Sequence, residues 1–477
     1  MLCFVMAEVF GGGRIMNFSQ DCAIILAGGE GKRMKSSMPK AMCEVLFKPM
    51  IDWVLDAAEN SGLGDVCVIT GHLHEKLEAH LGGRCVTFEQ KERLGTGHAV
   101  MQAREFITKH SGHNVLILNG DAPLMDSETI SSALAYHKNA DNVVTVISAR
   151  VDEPKGYGRI VRDDAGVLLR ITEEADATDE VKKIKEVNSG AYWFKADVLL
   201  EMLDKIQPNN AQGEYYLTDA LKLSIESGLK AAAFTAKSPN VVRGANDRVQ
   251  LLELNEIVRS QIIRNLLLEG VDMPCTDGII IGPDVIIGRD TRILPNTVLQ
   301  GNTKIGSNCL IGPNSIIDDC FVGDNVRLNN VDAKNSQIDS GSDAGPFVHI
   351  RPGSSIAANV HIGNFVEIKN SSIGEGTKLS HLSYIGDTDV GANVNIGCGC
   401  VTVNFDGKEK HRATIKDNAF VGCNTNLISP VTVGEFSYTA AGTTVTHDVP
   451  PYALAVERDT LTIKENWVNE KKPYKNM

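Results

Sequence analysis

Aromatic side chains are scarce in this 477-residue chain, at 5%, whereas glycine reaches 44 residues. That pairing argues against bulky aromatic cores and for tight turns and small, regular repeats. Cysteine is also sparse, with 11 residues, too few for a disulfide scaffold. No segment approaches the ~18 consecutive apolar residues of a membrane helix. Met1 to Met16 is apolar but lacks the basic start of a secretory signal. Basic residues are outnumbered, leaving a net charge of −13. An acidic surface repels polyanions, which excludes broad nucleic-acid binding but not the capture of one nucleotide by local cations and amides. The expectation is a cytoplasmic protein with reduced thiols, no nucleic-acid partner and no membrane partner.

What remains is an ordinary soluble composition, 43% hydrophobic and 22% charged, long enough for two or more domains. Residues 1–16 read as an extension, with Met16 a plausible alternative start. From Asp21 to about Val242, strand and helix signals alternate. Cys22-Ala-Ile-Ile-Leu-Ala27 reads as a buried strand, Met50 to Ser61 as a helix, Asp65–Thr70 as a strand, Glu75–Leu81 as a helix and Val115–Leu118 as a strand. This alternation predicts an α/β domain with a mostly parallel sheet over 17–246, binding ligands at the carboxyl ends of its strands. Residues 247–268 predict a connector helix.

Over 269–477 the period becomes six. Aliphatic residues stand at Ile281, Ile287, Ile293, Leu299, Ile305, Ile311 and Ile317, then at Ile350, Ile356, Ile362 and Ile368. The series shifts to Ile373, Leu379 and Ile385, and returns at Val390, Ile396, Val421, Leu427 and Val433. On a helix, six residues rotate about 600° and scatter these side chains over three faces. A coil with three short sides per turn points them all inward, with a Gly or Asn relieving each corner. This is the pattern of a parallel β-helix. Asn404–His411 interrupts it and is expected to loop out.

Two groups of residues carry chemistry. Leu26-Ala-Gly-Gly-Glu-Gly-Lys-Arg33-Met34 follows a buried strand, where Gly28, Gly29 and Gly31 let backbone N–H groups approach a phosphate. Pro39-Lys40 follows it. His381, in Ser-His-Leu-Ser-Tyr-Ile-Gly-Asp, is the natural candidate for a base, because an imidazole titrates near working pH.

Leu-Ala-Gly-Gly-x-Gly-x-Arg-Met with Pro-Lys resembles the signature of nucleoside-diphosphate-sugar pyrophosphorylases. The resemblance continues through Gln90, Leu94-Gly95-Thr96-Gly97-His98-Ala99, Asn119-Gly120-Asp121, Tyr157-Gly158-Arg159-Ile160, Glu173, Glu186-Val-Asn188-Ser-Gly190, Gln212–Asp219 and Gly244-Ala-Asn246. In the second half, Gly345-Pro-Phe-Val-His-Ile-Arg351-Pro-Gly, Asn364-Phe-Val-Glu-Ile-Lys369 and Tyr384 match, in order, the acetyltransferase half of one bifunctional family. Together the motifs resemble the bifunctional GlcNAc-1-phosphate uridylyltransferase/glucosamine-1-phosphate acetyltransferases over about 17–465.

The resemblance implies a Rossmann-like nucleotidyltransferase domain followed by a left-handed β-helix. It implies acetylation of glucosamine-1-phosphate by acetyl-CoA, then transfer of UMP from UTP, for cell-wall precursor synthesis. Arg33 and Lys40 would offset triphosphate charge, while Asp121 and Asn246 would hold Mg2+. Gln90, Gly95 and Thr96 would read uracil, and Gly158, Glu173 and Asn188 would grip the sugar. Leu26, Ala27, Gly28, Gly29, Asn119 and Gly120 complete the UTP and UDP-GlcNAc contacts. Arg351 and Lys369 would bind the sugar phosphate, Tyr384 and Asn395 the sugar, and His381 would be the general base. Cys398, Asn404, Phe405, Cys423, Ala441 and Arg458 fall at acetyl-CoA positions. Of these, Cys398 stands where Ala is usual, Phe405 for Tyr and Cys423 for Ser. Lys32 stands where Thr is usual. Such proteins assemble as trimers, so a homotrimer is expected.

Other readings remain. Asp121 can be a turn residue, Glu173-Glu174 a solvated acidic pair, and Asn246 a helix N-cap. Cys398-Gly-Cys400 with Cys423 is poorly spaced for structural zinc. The basic tail from Lys471 to Lys475 reads as a solvated terminus. The whole can also be a monofunctional pyrophosphorylase with a regulatory or oligomerising β-helix, or a non-catalytic relative of translation-factor subunits.

Overall fold

The computed structural model describes residues 19–210, 212–458 and 461–471. The expected extension over 1–16 and the basic tail beyond Lys471 lie outside them. The chain divides into two compact units, Met1–Val258 and Arg259–Met477, and the helix Arg248–Leu268 contains the boundary.

The first unit is built on strands β1 (Ser19–Leu26), β2 (Leu63–Thr70), β3 (Val86–Glu89), β4 (Asn114–Asn119), β5 (Val144–Arg150), β6 (Arg159–Arg162), β7 (Leu168–Thr172), β8 (Glu186–Lys195) and β9 (Ala231–Thr235). Their order is β9-β5-β8-β4-β1-β2-β3, with β6 and β7 paired beside β8. The apolar run in β1 is explained by burial on both faces. Ala23 and Ile25 pack into one core while Cys22 and Ile24 pack into the other. β1 runs parallel to β2 and β4, so its carboxyl end opens between two like ends.

The sheet departs from the mostly parallel expectation at β8, which runs antiparallel to both β4 and β5. The β6–β7 hairpin feeds β8 in from the opposite end, without a crossover helix. Strand direction follows from such connections, and an apolar run carries no mark of it.

Beneath β5, His137 is buried and its ring is satisfied while neutral. Nδ1 lies 2.9 Å from Thr145 Oγ1 and Nε2 lies 3.2 Å from Asn114 Oδ1. Burial, then repulsion from Lys195, pushes its pKa down from 6.5 to about 4. Between those values the unfolded chain takes up a proton that the folded chain refuses, so stability falls as pH drops through that window. The expected loss by pH 4 is about 3 kcal/mol. Denaturant unfolding of the whole chain at pH 7 and at pH 4 should show it, with a smaller drop in His137→Gln.

The second unit is a parallel β-helix. Ile281 pairs in register beside Leu299 and Leu299 beside Ile317, while Ile287 sits beside Ile305 and Ile293 beside Ile311. Each step is three hexads, one full coil. Every member of the aliphatic series from Ile281 to Val433 is buried in one continuous core. The corners differ from the expectation in one respect. Left-handed backbone is carried by Asn, as at Asn296 (φ 58°), Asn308 (φ 58°) and Asn314 (φ 52°), and by some glycines, as at Gly301 (φ 63°) and Gly312 (φ 96°). Gly288 and Gly306, directly after inward aliphatics, are there for close approach. A Cβ on Gly288 would stand 2.6 Å from the Gly306 carbonyl carbon. Asn404–His411 does leave the coil, held by one antiparallel bridge between Phe405 and Lys410.

Candidate active sites

The turn after β1 forms the floor of the first site. Its backbone is tied to both neighbours: Ala27 N–H donates to Ile69 O at 2.9 Å, and Gly120 N–H to Leu26 O at 2.9 Å. Gly28 is required by crowding, since a Cβ there would meet Gln90 Oε1 at 3.0 Å and Thr70 O at 3.2 Å. Gly31 takes φ 62°, turning the chain into the short helix Lys32–Met34 that carries Arg33.

These turns surround a cavity of about 510 Å³. Leu26, Ala27, Gly28, Gly29, Arg33, Lys40, Gln90, Gly95, Thr96, Asn119, Asp121 and Asn246 all line it. Lys40 Nζ donates to both Asp121 Oδ2 and, at 2.7 Å, Asn246 Oδ1. Thus two hard oxygen donors, far apart in the unit's sequence, converge on one cationic point. That donor set suits Mg2+, a hard cation that takes few protein ligands and fills its shell with phosphates and water. No cluster of three or more His, Cys, Asp or Glu placed to hold a metal occurs among the described residues. Asn246 is free for this geometry because Asp247 caps the following helix, accepting from Gln250 N–H at 3.0 Å.

Gly120 contributes backbone behind the cavity wall. Gly158, Glu173 and Asn188 form a neighbouring group outside the lining. Asn188 N–H donates to Gly158 O at 2.9 Å, and a Cβ on Gly158 would meet Glu173 Oε2 at 3.2 Å. Asn119 Nδ2 reaches Ser189 O at 3.4 Å, linking that group to the cavity. Glu173 and Glu174 are not a solvated pair. Glu174 binds Arg159 at 2.8 Å, whereas burial pushes the Glu173 carboxyl up despite a hydrogen bond from Thr218. Sequence reasoning missed Arg93, which lines the cavity and pairs with Glu30 at 3.1 Å.

In the β-helix, Arg351 Nη1 lies 2.9 Å from Glu367 and Lys369 Nζ 3.2 Å from Asp387. Asp387 also accepts from Asn370 and Asn404, and Asn404 Nδ2 reaches Tyr384 OH at 3.4 Å. Burial opposes ionisation of Asp387, but the bonds from Asn370, Asn404 and Lys369 outweigh it and hold the carboxyl below the usual range. Lys410, from the protruding loop, crowds Lys369. Contact with Lys410, then with Asp387, raises Lys369, while Lys369 pushes Lys410 down. Arg351, Lys369 and Lys410 gather as basic side chains, a set suited to a phosphate. Asp387 closes the Ser-His-Leu-Ser-Tyr-Ile-Gly-Asp stretch and Lys410 lies in the Asn404–His411 interruption, but neither was assigned a role from the sequence.

His381 Nδ1 lies 2.9 Å from Asn364 Oδ1. A carbonyl oxygen only accepts, so it holds the ring proton on Nδ1 and leaves Nε2 as a free base. Cys398, Cys423 and Ala441 continue upward from His381 as one column, because Leu379 pairs with Ile396, Val421 with Ile396 and with Thr439. Asn395 is not brought to the Arg351–Lys369–Tyr384 group. Its strand neighbours are Lys378 and Phe420, on the adjoining face. Phe405 is exposed on the loop, and Arg458 is exposed after the final coil strand.

Residues 22–239 match the nucleotidyl transferase family, and residues 284–319 match the bacterial transferase hexapeptide family of six repeats. The chain is 46% identical over 449 residues to the bifunctional protein GlmU of Acetivibrio thermocellus, covering 94% of this chain and 97% of that one. It is 46% identical over 456 residues to the bifunctional protein GlmU of Clostridioides difficile, covering 96% and 98%. With that of Geobacillus sp. strain WCH70 it shares 45% identity over 454 residues, covering 95% and 99%. The chain belongs to the bifunctional GlmU family. It is accordingly a two-activity transferase, a nucleotidyltransferase joined to a left-handed β-helix of hexapeptide repeats, working in nucleotide-sugar synthesis with acetyl-CoA. A GlmU-type chain needs two separate sites, which agrees with one polar cavity in the first unit and one cationic cluster with a histidine column in the second. No helix among the described residues is long and apolar enough to cross a membrane.

Proposed function

We propose that the β-helix, over 269–477, acetylates glucosamine-1-phosphate and that the domain over 17–246 then joins the product to UMP, the helix over 247–268 connecting them. The observations that carry the first reading are the Asn364–His381 pair and, on the same β-helix, the gathering of Arg351, Lys369 and Lys410. The cations hold the sugar phosphate, Tyr384 contacts the sugar, and His381 Nε2 takes the amine proton as the nitrogen attacks the acetyl carbonyl. Cys398, Cys423 and Ala441, with Asn404, Phe405 and Arg458, carry the acetyl-CoA.

In the first unit the sugar-phosphate oxygen attacks the α-phosphorus of UTP in line, and pyrophosphate leaves. Such transfers depend mainly on positioning and on neutralising charge. Backbone amides of the Leu26–Gly29 turn and the Arg33 and Lys40 cations meet the triphosphate. Gln90, Gly95 and Thr96 face the uracil, and Gly158, Glu173 and Asn188 the sugar hydroxyls. Asp121 and Asn246 hold Mg2+, which when bound offsets the negative charge shared by the phosphate oxygens.

An exposed ladder of Phe347, Phe365 and Leu382 adjoins the histidine column, with the two rings stacked at 5.2 Å. Such a patch is what a homotrimer would cover, and analytical ultracentrifugation tests it. The thiols favour action in the reducing cytoplasm, all ten described cysteines being free.

A coupled assay with glucosamine-1-phosphate, acetyl-CoA, UTP and Mg2+, following free thiol and pyrophosphate separately, should show release of both. Pyrophosphate alone, from supplied N-acetylglucosamine-1-phosphate, would leave the β-helix a scaffold.

A further inference from the structure

Gln90 lines the cavity of the first unit yet is only 6% exposed. It stands just past β3, where its backbone N–H donates to Thr70 O at 2.8 Å. Its side-chain amide is held at one end. Nε2 donates to Gly95 O at 3.1 Å and lies 3.2 Å from His98 Nδ1. Oε1 accepts no hydrogen bond among the described residues and looks toward the phosphate turn, 3.0 Å from where a Cβ on Gly28 would stand. The Gly95 carbonyl is itself fixed, because the chain on either side of it is pinned to Tyr215. Tyr215 N–H donates to Leu94 O at 2.8 Å, and Gly97 N–H donates to Tyr215 O at 2.7 Å. A carbonyl only accepts, so Gly95 O settles which end of the amide is the nitrogen. His98 Nδ1 then faces a donor and keeps its lone pair there. Gln102, one helical turn on, backs the ring: its Nε2 donates to His98 O at 2.9 Å and stands 3.3 Å from His98 Nε2.

Two acceptors thus converge on Gln90 Nε2, and a reversed amide would set its oxygen against both. The orientation decides what the amide offers a pyrimidine. Uracil carries a hydrogen at N3, where cytosine has a lone pair. A fixed carbonyl oxygen therefore pairs with the first and repels the second, and a site built for that hydrogen bond rejects the ring that cannot make it. Resting on the reading of Gln90 as a contact to uracil, we infer that His98 is the positioning residue that locks the Gln90 amide and so makes the first unit choose uridine over cytidine triphosphate. His98 touches Gln90 rather than the base. Its part is to disfavour the reversed amide, whose nitrogen would donate to cytosine N3. Gly95 and Thr96 meet a pyrimidine ring in either case, so seating the ring and choosing between rings fall to different side chains.

The test uses the full chain with Mg2+ and N-acetylglucosamine-1-phosphate, and measures kcat/KM for pyrophosphate release with UTP, CTP and N3-methyl-UTP. The wild type is expected to favour UTP over both others by roughly 10²-fold or more. His98→Phe and His98→Leu, two apolar replacements of different shape, should each narrow the UTP-to-CTP ratio by about tenfold, the worth of one hydrogen bond. They should do so by weakening UTP and improving CTP. His98→Asn, whose Oδ1 can stand in for Nδ1, should restore the ratio. A ratio between two substrates does not depend on how much of a variant folds, and lost packing alone lowers both rates together. An unchanged ratio in both apolar variants, beside a wild type that rejects CTP and N3-methyl-UTP, overturns the lock and leaves the uracil reading standing. A ratio that falls as far in His98→Asn also overturns it. If the wild type takes N3-methyl-UTP as readily as UTP, Gln90 does not read N3, and the uracil reading fails together with the lock.

Discussion

Asp121→Ala is expected to abolish uridylyl transfer and to leave acetyl transfer at the wild-type rate. Asp121 is the carboxylate that Lys40 and the Asn246 amide oxygen face together. Its removal leaves the cationic point with one neutral oxygen donor in place of a charged pair. A metal held by that pair would lose its only protein charge, and the Lys40 ammonium would lose the group that positions it. Several kcal/mol of transition-state stabilisation should go with them. At 1.36 kcal/mol per tenfold, that is a fall of roughly 10³ or more in turnover. Asp121→Asn keeps the hydrogen-bonding shape without the charge and should fall between the two. Pyrophosphate release from UTP and N-acetylglucosamine-1-phosphate measures the loss, and coenzyme A release with glucosamine-1-phosphate measures what is kept. Loss of both activities in a folded variant would sink the two-site reading.

The converse is expected of His381→Ala. Acetyl transfer should drop by about 10² to 10⁴, the usual contribution of a positioned general base, while pyrophosphate release from supplied N-acetylglucosamine-1-phosphate is unchanged. The imidazole is the one basic side chain in its column, and Asn364 sets its tautomer. Asn364→Ala should therefore weaken the same activity by less, because the ring remains but either nitrogen can carry the proton. A bell-shaped pH profile whose acid limb disappears in His381→Ala would tie the loss to proton transfer rather than to packing. Equal acetyl transfer in His381→Ala and wild type would assign the base elsewhere.

Much of the architecture was legible from spacing. The six-residue period is a local record of a three-sided coil, since each inward position must be aliphatic whatever the coil later meets. Ile281, Leu299 and Ile317 are therefore readable as one stack before any register is known. Three strands of the first unit, over 22–27, 65–70 and 115–118, were legible as apolar runs buried on both faces. The direction of Glu186–Lys195 was not, because a buried strand has the same composition whichever way it runs. Nor was the division of labour at the coil corners. Gly288 is selected by a neighbouring coil's backbone, which is invisible from one hexad, whereas Asn296 is selected by its own backbone angle. Asn246, expected to face Mg2+, had a helix cap as its alternative reading, and Asp247 takes that place.

The residue types needed for both chemistries are determined by the sequence: a glycine turn after a buried strand, a lysine, a carboxylate and an amide for phosphates, and a histidine within a six-residue repeat. These follow from local rules, in which backbone freedom, charge and titration belong to single residues. Only the tertiary structure decided which of them meet. It set Lys40 against Asp121 and Asn246, gathered Lys410 onto Lys369, and separated Asn395 onto another face. It also ranked Asn364, His381 and Cys398 in one column. Those outcomes depend on sheet order and on coil register, which are set by packing among residues far apart in the chain, and no local pattern encodes a distance of that kind.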